Sequence, residues 1–188
     1  MPTTDPDPYP PMLDPYLHSA VVTSKIGSQS TWAEANTGIY KQFTATGDWM
    51  RSSRPNLEAV INAGVRTIIY DGDADYILNY IGVEAMVRTS REFSSLSYSP
   101  CPNLVALFPQ VASLTTKFSA EFAKQSFATY TVNGKPTGLY KNAGTFSYLR
   151  VFGAGHEVPA YLWQGVPRGA AALQMFTQIM SGHPLSST

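Results

Sequence analysis

Two short stretches, VRTIIY at 65–70 and TFSYLRVF at 145–152, place β-branched and aromatic residues on successive positions. Near-continuous apolar runs of this length mark strands covered on both faces, as inside a parallel sheet and not at its edge. Before the first run, Pro55 suits a first helical turn, and Leu57, Val60 and Ile61 recur at helical spacing until Gly64 stops them, which predicts a short amphipathic helix. Residues 77–89 have a mostly helical pattern, interrupted by Gly82. SFATYTVNGKPTGLYK, at 126–141, alternates around Asn133-Gly134, a pair that tolerates positive φ and so predicts a hairpin. A last helix carries Ala172, Leu173, Phe176, Ile179 and Met180 up to Gly182. The order helix, strand, helix, hairpin, strand, helix predicts an α/β fold with a polar cluster at the carboxyl end of each covered strand, where such sheets collect their chemistry.

Two segments fall outside this pattern. Residues 1–14 carry five prolines, which block regular hydrogen bonding, and are expected to form an extended arm. Residues 90–115 hold serines, three prolines and no sustained period, and are expected to be an insertion or long loop. The remainder, 15–188, is read as one domain, since 44% hydrophobic and 12% aromatic residues suffice for a sizeable core.

Charge narrows the partners. Thirteen basic and thirteen acidic residues give no net charge, so the balance draws the chain toward neither nucleic acid nor an anionic membrane surface. The acidic, proline-rich start is unlike a secretory signal, and no apolar run approaches the roughly 20 residues that span a bilayer. The single cysteine, Cys101, cannot close a disulfide within the chain, which by itself favours a reducing compartment.

The sharpest chemical feature is YDGDADYI at 70–77, with Asp71, Asp73 and Asp75 on alternate positions at a strand end. Three carboxylates this close repel one another unless something compensates. A calcium loop would need glycine and glutamate where Tyr76 and Gly82 stand, so that match fails. A phosphoaspartyl hydrolase would use Asp71 as nucleophile and Asp73 as acid with magnesium, but no later lysine or acidic pair completes the site. Helix capping or Asx-turn formation is the plain alternative for any one of the three. The remaining reading pairs an aspartate with His156, which follows the second strand in GAGHEVP; Gly153 and Gly155 permit an unusual backbone path there and Pro159 stiffens the exit. Acid before histidine at the ends of successive covered strands is the layout of an α/β-hydrolase triad.

Together, GDWM at 47–50, YDGDADYI at 70–77 and YLRVFGAGHEVPAY at 148–161 resemble, in this order, the C-terminal part of fungal serine carboxypeptidases. The resemblance covers residues 15–89 and 117–182. It implies the C-terminal half of an α/β-hydrolase sheet, with flanking helices and a hairpin, and peptide or protein C-termini as substrates. It implies no metal and no cofactor. By the family's Gly-Asp-x-Asp and Gly-x-Gly-His patterns, Asp75 is the triad acid and His156 the base, Asp73 shapes the loop, and Glu157 and Val158 flank the leaving-group pocket. Two departures stand out: Leu78 and Ala35 occupy positions where relatives carry cysteine. The family also implies a secreted or vacuolar compartment, against the hint from Cys101.

One element of the triad is absent. No Gly-x-Ser-x-Gly elbow occurs in the 188 residues, nor do the upstream groups that build the oxyanion hole. The expectation is a fragment that is inactive unless another chain supplies the missing N-terminal half, or, alternatively, a non-catalytic peptide-binding or interaction domain derived from the family.

Overall fold

The computed structural model describes residues 13–87 and 114–188. The expected arm, but for its last two residues, and the expected insertion, but for Leu114 and Thr115, lie outside them, as does Cys101. The chain divides into two compact units, Asp7–Ser53 and one containing Arg54–Thr188.

In the first unit, helices α1 (Leu13–His18), α2 (Ala20–Ile26) and α3 (Thr37–Ala45) are short and locally capped. The Ser19 hydroxyl accepts from the Val22 amide at the start of α2, and the Asn36 side chain accepts from Ile39 at the start of α3. A 3₁₀ turn at Asp48–Met50 brings Trp49 against Tyr40 and Phe43, with ring centroids 5.6 and 6.0 Å apart.

The second unit is an α/β structure built on a four-stranded mixed sheet. Its strands are β1 (Thr67–Gly72), β2 (Ala128–Val132), β3 (Lys135–Ala143) and β4 (Phe146–Val151), in the order β1-β4-β3-β2. The β2–β3 hairpin turns at Asn133-Gly134, both at positive φ as expected. β4 pairs antiparallel with β3 and parallel with β1, in the register Thr67↔Phe146 through Gly72↔Val151. Among the described residues four helices flank the strands in sequence: α4 (Arg54–Asn62), α5 (Tyr80–Val87), α6 (Ser119–Lys124) and α7 (Ala170–Met180).

Alternation along β4 splits the core between the two faces of the sheet. Phe146 and Tyr148 point to one cluster with Ile61 of α4, Val87 of α5, Phe122 of α6 and Leu114. Leu149 and Val151 point to the other, with Tyr130 and Val132 of β2, Ala171 and Met175 of α7, Val158 and Leu185. β4 is therefore central and covered on both sides, as its apolar run predicts. β1 is covered in the same way: Ile68 and Ile69 reach opposite clusters, while among the described residues the strand pairs only with β4 and forms the sheet's edge. An apolar run reports what lies above and below a strand and carries no information on its lateral neighbours.

The closing helix, α7, forms as its apolar spacing predicts. Ala171, Ala172 and Met175 are buried, whereas Leu173, Phe176 and Met180 are largely exposed. Apolar residues surround most of this helix, so spacing alone does not select the packed face; the small alanines do, because they admit close approach.

Candidate functional site

The site forms where the loops after β1 and β4 meet. Both strands run in the same direction, so their carboxyl ends emerge side by side. Gly72, the last residue of β1, has no room for a side chain: a Cβ there would lie 2.1 Å from the Ala154 carbonyl oxygen. The loops then stitch together through their backbones. The Asp73 amide donates to the Val151 carbonyl at 3.0 Å and the Ala74 amide to the Ala154 carbonyl at 2.9 Å.

Each of the three aspartates has a different partner. Asp71 is buried, 6% exposed, and its Oδ1 accepts a hydrogen bond from the Tyr148 hydroxyl at 2.9 Å. Its Oδ2 is buried without a partner. Burial above all, with nearby Glu84 adding, pushes its carboxyl up to about 7, against the Tyr148 hydrogen bond and the Arg150 charge. Arg150 itself holds Glu84 at 2.8 Å. Asp73 Oδ1 accepts from the Gly153 amide at 2.7 Å. Asp75 Oδ2 meets His156 Nδ1 at 2.9 Å, while its Oδ1 accepts from the Ile77 and Leu78 amides at 2.9 and 3.1 Å. The turn-forming and the histidine-pairing readings therefore both hold at Asp75, on different oxygens.

This divergence argues against both metal-based alternatives. The carboxylates do not converge, and among the described residues no group of three His, Cys, Asp or Glu side chains could hold a metal ion. Asp71, the nucleophile a phosphoaspartyl mechanism needs, is enclosed against Tyr148.

The electrostatics of the pair follow from its geometry. Burial of the Asp75 side chain, 7% exposed, favours the neutral acid, but the hydrogen bonds from His156, Leu78 and Ile77 outweigh it and hold the carboxyl below its usual range. The hydrogen bond to Asp75, then its charge, raises the imidazole above its ordinary value. With Nδ1–H donating to the carboxylate, Nε2 is the nitrogen left to accept a proton. The His156 side chain is 52% exposed, so the ring can meet a reacting group.

The residues after the histidine divide. Glu157 is partly buried at the loop surface, whereas Val158 is 5% exposed and sits in the core cluster behind the loop. Only the first of these stands where a ligand could meet it without rearrangement.

The glycines of the histidine loop work differently from each other. Gly153 has φ +64, and a Cβ there would lie 2.2 Å from the Trp163 ring. Gly155 has no such φ; it is small because the Tyr161 hydroxyl would be 2.6 Å from a Cβ. Sequence reasoning missed Tyr161 and Trp163 as the wall behind the loop. Their signal is a pair of aromatic residues closely following a Gly-x-Gly.

Comparison with known proteins places these residues in context. A family model described as serine carboxypeptidase matches residues 3–182. Carboxypeptidase S1 of Penicillium janthinellum is 34% identical over 183 residues, covering 97% of this chain and 36% of that protein. Carboxypeptidase Y of Schizosaccharomyces pombe is 31% identical over 148 residues, 78% of this chain and 12% of its own length. The chain thus spans about a third or less of these curated relatives.

Proposed function

The chain belongs to the serine carboxypeptidase family, and from that premise we propose that it supplies the acid and base of a peptidase triad whose nucleophile lies outside these 188 residues. In this reading Asp75 fixes the imidazole tautomer. His156 Nε2 takes a proton from an attacking serine hydroxyl and then delivers it to the departing amino acid. The observation that carries the reading is the 2.9 Å contact between Asp75 Oδ2 and His156 Nδ1, made by an imidazole that is half exposed. Peptide or protein C-termini are the substrate class, with Glu157 beside the leaving group, and the compartment is the secreted or vacuolar one of the family. No helix among the described residues is long and apolar enough to cross a membrane.

Because triad members act as a unit, lack of the nucleophile is worth on the order of 10⁶ in turnover. The chain alone should therefore leave a blocked dipeptide intact. Co-expression with the serine-bearing upstream half of a relative should restore release of the C-terminal amino acid, and His156→Ala in the restored complex should abolish it. Hydrolysis by the chain alone that disappears with His156→Ala would overturn the requirement for a second segment. Peptide binding by the restored complex without turnover would favour a binding domain that kept the fold and lost the chemistry.

A further inference from the structure

The pairing of Asp75 with His156 joins two loops whose mutual backbone bonds reach only as far as Ala74 and Ala154, short of both side chains. Gly72, Gly153 and Gly155 bracket them, and glycine leaves the backbone the widest choice of conformation. Up to Val151 the β1–β4 ladder sets their separation. Beyond it, Gly153 takes a left-handed conformation, φ +64, and its amide is met by a side chain instead of a ladder carbonyl: Asp73 Oδ1, at 2.7 Å. We propose that Asp73 is a positioning residue, whose carboxylate tethers the histidine loop to the acid loop through the Gly153 amide and so keeps Asp75 and His156 within hydrogen-bond reach.

The placement suits the task. The tether lies two residues before Asp75 and three before His156, close enough to fix both side chains and too far to touch the reacting atoms. A hydrogen bond from an amide to a carboxylate is short and about twice as strong as a neutral one, so it holds a glycine turn better than a hydroxyl would. The aspartate side chain is matched to the gap, which the neighbouring backbone bond from Ala74 to Ala154 keeps narrow. The charges that bear on the imidazole are those of Asp75 and, after it, Glu157. A change at residue 73 therefore reaches His156 through geometry.

This inference rests on the reading of Asp75 and His156 as acid and base, and its test needs no turnover. The His156 ring proton is titrated by NMR in the full chain, in Asp73→Ala and in Asp73→Asn. Asp73→Ala should drop the midpoint toward the ordinary 6.5, while Asp73→Asn, which keeps an acceptor oxygen, should hold most of the elevation. A folded Asp73→Ala variant with an unmoved midpoint, or an asparagine variant that falls as far as alanine, would overturn the tether. Should the alanine variant not fold, the native chain decides: its Gly153 amide must be protected from exchange with solvent, and a freely exchanging amide overturns the proposal. A native His156 midpoint at its ordinary value would instead sink the acid–base reading, leaving the Gly153 protection to judge the tether by itself.

Discussion

Asp75 shows how one carboxylate serves a turn and a histidine at once, and the two partners of the ion pair respond to pH with opposite sign. Its folded pKa is depressed, so its contribution to stability is present above the unfolded value of 3.8 and is lost as pH falls through the lower folded value. His156 is raised, so its contribution is complete below its unfolded 6.5 and is lost as pH climbs through the higher folded value. The pair is thus at full strength between about 3.8 and 6.5. Asp75→Asn should return the His156 midpoint toward 6.5, a shift that ring-proton NMR would read. Asp71 has the opposite sign to Asp75. Its carboxyl is raised from 3.8 to about 7, so ionising it in its enclosed position costs stability progressively as pH rises through that interval. Asp71→Asn should flatten the fall in urea midpoint between pH 4 and 8; an unchanged slope would mean that the Tyr148 hydrogen bond already offsets the burial.

At the scale of strands, helices and loops, the sheet's central strand and the loop crossing above it carry the site. Leu149 is fully enclosed in β4, and Leu149→Ala should cost about 2–5 kcal/mol in urea unfolding, from lost transfer energy and the cavity left behind. Gly72→Ala should cost on the order of 1–3 kcal/mol, because its methyl must push the Ala154 carbonyl away. It should also part the loops, so the His156 midpoint ought to fall with it; a stable variant with a normal midpoint would show that the loops adjust freely. Much of this was legible from residues. Alternation around Asn133-Gly134 marked the hairpin, since only positive φ closes so tight a turn, and the run at 145–152 marked β4 because both its faces are covered. Strand-end position and glycine flanks made a contact between one of the three aspartates and His156 legible, while the choice of Asp75 came from the family resemblance. What the residues withheld was relational. The edge position of β1 depends on a neighbour that no local pattern encodes. The packed face of α7 was decided by two alanines among bulkier apolar residues. Val158 packs into the core cluster, a burial that its distance from His156 in sequence does not encode.

At the scale of the whole molecule, none of the described strands pairs with the outer side of β1, which forms the rim of the described sheet, with Tyr70 43% exposed there. Such an edge invites a further strand. If the complementing segment pairs with this rim, Tyr70→Lys should reduce self-association of the chain, read by sedimentation, and should weaken restoration of hydrolysis by the upstream half. Sedimentation and hydrolysis both unaffected would place the complementing segment elsewhere. The parallel pairing of β1 with β4 has a kinetic corollary. The hairpin can close within microseconds, but the acid and the histidine stand 81 positions apart, and closing a loop of that size costs about 4 kcal/mol in chain entropy before any contact repays it. Assembly of β1 onto β4 should therefore be a late event in folding. A nascent or half-folded chain would hold its imidazole apart from its carboxylate, so the aligned pair arrives only with the finished architecture.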